Sequence, residues 1–207
     1  MICPQKKHEL RNVYDKYLTP FSITQQLLDN IRLDKDTTIF EPCSSREGSI
    51  VKVLKKNGYT NVIENIYDPA ICETDIFNLP TDTCEVIITN TPYGKDIPKF
   101  VKKMKKIATK QVIALYPISI LHGTKRYNNM WKQDDDYKLS NVLMFVRPPM
   151  LLDDIQENGK YNTGMNAYGW FIWTKGHTSE EVSLKQIDNS DFVNRKRDGD
   201  HFKETPS

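Results

Sequence analysis

Apolar residues along this chain follow two alternating rhythms. Short β-rich runs occur at Thr37 to Pro42, Asn61 to Ile66, Glu85 to Asn90 and Gln111 to Tyr116. Between them lie helical patterns: Ile23, Leu27, Leu28 and Ile31, then Gly48 to Lys56, then Ile97, Phe100, Val101, Met104, Ile107 and Ala108. The second rhythm is the 3.6-residue repeat of a helix with one buried face. Thr19-Pro20, ahead of the first helix, offers a capping hydroxyl and a first-turn proline. Strands separated by helices predict an α/β fold with a mostly parallel, doubly wound sheet and helices on both faces.

The last third changes character. Val142 to Val146 and Tyr168 to Trp173 are aromatic-rich runs joined by the polar segment Pro148 to Gly164. They predict an antiparallel hairpin that closes one edge of the sheet. From Thr178 onward the chain is polar, so the expected division is one domain over 1–177 and a flexible tail over 178–207.

Composition narrows the chemistry mainly by exclusion. With 29 basic against 27 acidic residues in 207, bulk charge does not announce a nucleic-acid binder. Four cysteines without a C-x-x-C pair and four scattered histidines argue against a zinc site or a disulfide framework, so no metal is expected. The polar start, with Lys6, Lys7 and His8, is unlike a secretory signal. The longest apolar tract, Val112 to Leu121, is about half of the roughly 20 residues a membrane helix needs. The expectation is a cytoplasmic protein with no membrane partner. Lysines 95, 99, 102, 103, 106 and 110 form the polar side of the third helix and read as a solvated face.

Two stretches carry candidate chemistry. Asn90-Thr91-Pro92-Tyr93 ends a buried strand, and the carboxyl ends of such strands are where open α/β sheets bind ligands. An amide oxygen, a kinked backbone and an aromatic ring can together hold a flat base that bears an amine. The second stretch, Phe40 to Ile50, passes from strand through a turn of small residues into a helix. That geometry lets backbone N–H groups approach a polar ligand, although it also serves as a plain connection.

Order along the chain adds to these. Lys16-Tyr17-Leu18-Thr19-Pro20, then Glu41-Pro42 with Gly48, then Asp75-Ile76-Phe77, precede Asn90-Thr91-Pro92-Tyr93. Tyr116 to Tyr127, Val142 to Pro149 and Ala167 to Gly176 follow it. From about Lys16 to Gly176 the chain resembles the S-adenosylmethionine-dependent adenine-N6 DNA methyltransferases of the small phage or mobile-element type. Their acceptor loop is Asn-Pro-Pro-Tyr, and Thr91 stands here in place of the first proline. Their cofactor turn is richer in glycine, and Ser44 and Ser45 fill it here.

The resemblance implies a Rossmann-like class I methyltransferase fold, S-adenosyl-L-methionine as cofactor and DNA as partner. It implies cofactor contacts at Tyr17, Thr19, Glu41, Pro42, Cys43, Ser44, Ser45, Gly48, Asn65, Asp75 and Ile76. Glu41 would face the cofactor's ammonium group and Thr19 its carboxylate. Glu64, Asn65 and Asp68 compete for the ribose hydroxyls, and register favours Asn65. Asn90 and the Thr91 carbonyl would polarise the adenine amine, Pro92 would shape the loop, and Tyr93 would stack on the base. Lys125 and Arg126 are the candidate phosphate contacts. Two alternatives stay open. The same loop type serves enzymes acting on RNA or a protein glutamine, and the changes at Ser44, Ser45 and Thr91 fit a non-catalytic nucleic-acid-binding relative.

Overall fold

The computed structural model describes residues 19–44, 48–66, 76–131, 136–147 and 166–192. Its centre is a seven-stranded sheet. The strands are β1 (Ile39–Ser44), β2 (Val62–Ile66), β3 (Cys84–Thr89), β4 (Ala108–Pro117), β5 (Tyr137–Phe145), β6 (Tyr168–Lys175) and β7 (Ser183–Ile187). Their spatial order is β2-β1-β3-β4-β6-β5-β7. All run the same way except β6, which is antiparallel to both β4 and β5.

Alternation along the strands builds two apolar faces. Phe40, Ile87, Val112, Ala114, Phe171 and Trp173 point to one face and pack with helix α3 (Ile97–Ile107). Ile39, Val86, Ile88, Ile113, Leu115 and Trp170 point to the other. There they meet Ile23 and Leu27 of α1 (Phe21–Leu28), and Ile50 and Leu54 of α2 (Ser49–Lys56). The expected doubly wound α/β architecture is therefore present, with the first four strands and three helices near their predicted positions.

The last third holds the expected antiparallel β5–β6 hairpin, and β7 pairs in parallel with the far side of β5. β7 lies within the polar stretch from Thr178 onward, and its Ile187 is buried in the apolar cluster on the α1/α2 face. Just beyond, the Asn189 side chain accepts from the Arg147 N–H and donates to the Arg147 carbonyl, both at 2.9 Å. That reciprocal pair continues the β5–β7 ladder by one side-chain step. The first helix is tied to the same region, with Trp170 Nε1 donating to the Ile23 carbonyl at 3.0 Å and Gln26 Nε2 to the Asp188 carbonyl at 3.2 Å.

Among the described residues, no helix is long and apolar enough to cross a membrane. No group of His, Cys, Asp and Glu among them could hold a metal ion.

Candidate active site

The sheet order reverses between β1 and β3, since β1 leads outward to β2 and the chain then crosses back to β3. Open α/β sheets bind ligands in the crevice at that switch point, outside the carboxyl ends of the strands. A cleft lies there, lined by Thr19, Glu41, Cys43, Ser44, Ser49, Ile50 and Asn90. Its empty volume is about 260 Å³, part of it open to solvent.

Local sequence explains how β1 delivers its end to this cleft. Pro42 has no N–H and cannot donate to a ladder. The β1–β2 register slips between Glu41 and Ser44, so β1 bulges at the proline. The bulge brings Glu41, Cys43 and Ser44 to the cleft together. Gly48 then caps α2 in the left-handed region, at φ +56° and ψ +40°, which explains why this one turn glycine is kept. A Cβ there would stand 3.5 Å from Glu64 Oε2 and 4.0 Å from Ser44 Oγ.

Glu41 is buried, with 1% of its surface exposed. Its Oε1 accepts from Thr89 Oγ1 at 2.5 Å and from the Cys43 N–H at 2.9 Å. Burial nevertheless dominates these stabilising bonds, and the nearby Glu64 carboxylate adds to it, so the pKa is pushed up to about 8. In this structure Glu41 is therefore a protonated, hydrogen-bonded acid near neutral pH. A cation placed against it would reverse that balance.

The Asn90 loop is braced from several elements. Asn90 Nδ2 donates to Thr19 Oγ1 at 3.0 Å, which sets the amide plane and the direction of its oxygen. Thr19 thus serves the loop rather than capping α1, where no side-chain cap bond forms and Pro20 holds the cap position. The Thr91 side chain is buried and its hydroxyl lies 2.8 Å from the Tyr116 phenol. The Tyr93 ring is half-buried, 5.7 Å from Tyr168 and 6.3 Å from Tyr116 between centroids. It packs against both apolar faces at the end of the sheet.

Other predicted residues fall elsewhere. Asn65 Nδ2 donates to the Pro42 carbonyl at 3.1 Å, beneath the bulge. The neighbouring Glu64 instead turns its carboxylate to Ser44 Oγ, at 3.0 Å, so Glu64 is the acid beside the cleft. Adjacent strand residues face opposite ways, and one step of register decided this. Ile76 has no exposed surface and fills the core next to Ile87, which leaves only its backbone for a ligand. Pro42 is likewise buried and does not line the cleft. Arg126 Nη1 clamps the Ser119 and His122 carbonyls at 3.1 and 2.9 Å, whereas Lys125 is exposed. Tyr17, Ser45, Asp68, Asp75 and the segment Pro148–Gly164 lie outside the described residues. Ser49 and Ile50, at the end of the candidate stretch Phe40 to Ile50, also line the cleft; the supports at Thr89 and Tyr116 follow from strand parity once β1, β3 and β4 are aligned.

No protein-family model and no curated protein matches the chain. Solved structures do. A Listeria monocytogenes protein assigned to the class I S-adenosylmethionine-dependent methyltransferases superposes with a TM-score of 0.58 over 92% of this chain and 71% of its own, at 13% identity. The fold is the class I methyltransferase fold. A Pyrococcus horikoshii protein assigned as an RNA methyltransferase shares it, with a TM-score of 0.57, 14% identity and coverage of 78% and 88%. So does the methyltransferase subunit of a type I restriction-modification system from Streptococcus thermophilus, at 0.57, 10% identity and 92% of this chain. The chain spans about half of that subunit, 53% of its length. Within the class I methyltransferase fold seen here, the cleft and the Asn90 loop sit side by side at the switch point.

Proposed function

We propose that the protein transfers a methyl group from S-adenosyl-L-methionine to the N6 amine of adenine in DNA. The observation that carries this reading is the placement of Asn90 in the wall of the cleft that Glu41 also lines, with its amide bonded to Thr19. A nucleotide-sized acceptor loop and a pocket for a charged small molecule then share one residue.

The residues present suit the cofactor. A buried carboxyl at Glu41 can meet an ammonium group, the hydroxyls of Thr19, Ser44 and Ser49 offer polar contacts, and Glu64 offers acceptors for hydroxyl groups. When bound, the cofactor supplies a methyl group already activated on a sulfonium, so positioning is most of the catalysis. An exocyclic amine is a weak nucleophile because its lone pair is delocalised into the ring. Asn90 Oδ1 and the Thr91 carbonyl would accept its two N–H bonds and return that pair to nitrogen. Tyr93 would stack on the base, contributing on the order of 1–3 kcal/mol. A duplex target must first be extruded to reach the loop. Lys125 remains a candidate phosphate contact, while Arg126 is engaged with the backbone of its own turn.

One fact favours a second acceptor class: a similar structure is assigned as an RNA methyltransferase. Nucleoside mass spectrometry after incubating the protein and cofactor with unmethylated DNA or RNA separates the two. N6-methyladenine in DNA is the expected product. Methylation confined to RNA would move the acceptor and keep the chemistry.

A further inference from the structure

Thr91 is where this chain parts from the loop it resembles, and the structure shows what stands in the proline's place. A proline at 91 would limit the loop through its ring. Threonine lacks the ring that fixes φ, while Pro92 after it still restricts ψ, and its carbonyl is one of the two proposed acceptors. Yet the Thr91 side chain is 2% exposed and its hydroxyl meets the Tyr116 phenol at 2.8 Å. Thr91 Oγ1 also lies 3.5 Å from the Pro92 carbonyl, as a donor. If that longer contact is made, the consistent direction is Tyr116 O–H to Thr91 Oγ1, then Thr91 O–H to Pro92 O. Burial keeps the phenol protonated, as this donor role requires.

Tyr116 is itself enclosed. It lies in β4 opposite Gly169 of β6, has no exposed surface, and packs against Phe171 and Trp173 at 6.2 and 6.4 Å. Its ring also lies 6.3 Å from Tyr93. One buried side chain thus meets both the residue whose carbonyl is a proposed acceptor and the ring proposed to stack on the base.

We propose that Tyr116 is a positioning residue, its phenol holding the Thr91 side chain so that the Thr91 carbonyl keeps the orientation a proline would otherwise impose. The role rests on the acceptor-loop reading above. It makes Thr91 and Tyr116 a matched pair: hydroxyl with phenol here, and proline with a residue lacking the phenol as the alternative match.

A double-substitution cycle tests it on the full chain. Tyr116→Phe keeps the ring packing and removes only the phenol oxygen. We expect kcat to fall about tenfold, the equivalent of one lost hydrogen bond, with the cofactor Kd within twofold. In a Thr91→Pro background, the same Tyr116→Phe change should alter kcat less than twofold. Amide hydrogen exchange over residues 90–94 reads loop order without turnover. It should quicken about tenfold in Tyr116→Phe and recover when Thr91→Pro is added. Equal kcat losses in both backgrounds, or unchanged exchange, would overturn the proposal. If the wild-type chain methylates nothing while exchange follows the expected pattern, the positioning role survives and the proposed reaction fails.

Discussion

Two loops meet at the carboxyl edge of the sheet, and each departs from the pattern it resembles in a different way. Around the turn after β1, Ser44 stands where the resembled pattern has glycine, and it bonds to Glu64 in the adjacent strand. Among the turn's described residues the left-handed position is Gly48. The Asn90 loop changed a single residue, yet it leans on distant chain: Asn90 on Thr19, Thr91 on Tyr116 and Tyr93 on Tyr168. The turn needs a backbone conformation, which a residue type announces. The loop needs side-chain partners in other elements, which no local pattern announces.

The largest effect expected on this contrast comes from the acid between the two loops. Glu41 accepts from Thr89, the last residue of β3 before Asn90, and its pKa stands near 8 instead of 4.5. Between pH 4.5 and about 8 the unfolded chain has released this proton and the folded chain keeps it. Stability therefore falls as pH rises through that window, by up to about 1.4 kcal/mol per unit, and levels off above it. Thermal unfolding from pH 5 to 8 should show the fall, and Glu41→Gln should flatten it. On the proposed function, a bound ammonium group favours the ionised acid, so cofactor affinity should rise with pH up to about 8 in the wild type alone.

The next effects set two glycines against each other. A Cβ on Gly169 would lie 2.8 Å from the Leu143 carbonyl oxygen and 3.2 Å from Met144 Cα, backbone atoms that cannot step aside, and 3.1 Å from Ile118. Gly169→Ala should cost roughly 3 kcal/mol by forcing β6 from β5, at the upper end of overpacking. It should also disturb the neighbouring Tyr168 that backs Tyr93. Gly48→Ala meets only ordinary contacts, so its cost is the left-handed backbone alone, about 1–2 kcal/mol. Urea unfolding of the two variants measures both. Equal losses would mean that the brace is as forgiving as the turn.

What the residues disclose in advance follows the same division. The first four strands and three helices are legible because apolar periodicity is local. β7 is not, because Ser183-Leu184-Lys185-Gln186-Ile187 buries only Ile187 and joins the sheet through backbone pairing to β5. Asn90, Glu41, Thr19 and Ser44 are found from their order along the chain, and they do line one cleft. Glu64 and Asn65 face opposite ways in β2, so Glu64 reaches Ser44 and Asn65 reaches the Pro42 carbonyl, a parity that periodicity alone does not fix. Ile76, which flanks Asp75, has its side chain in the core, a placement that an isolated apolar residue in a polar segment does not announce. Arg126 bonds to the Ser119 and His122 carbonyls of its own turn, a local capture that a basic residue type does not disclose.

On the proposed function Asn90 polarises the acceptor amine, while most of the cofactor's contacts come from the other residues of the cleft. The measurement that tests this most directly pairs methyl transfer to adenine with calorimetric cofactor binding, in wild type and in Asn90→Ala. Loss of transfer by about a hundredfold or more, with cofactor affinity kept within a few fold, is the expected result. Transfer by Asn90→Ala at close to the wild-type rate would contradict it.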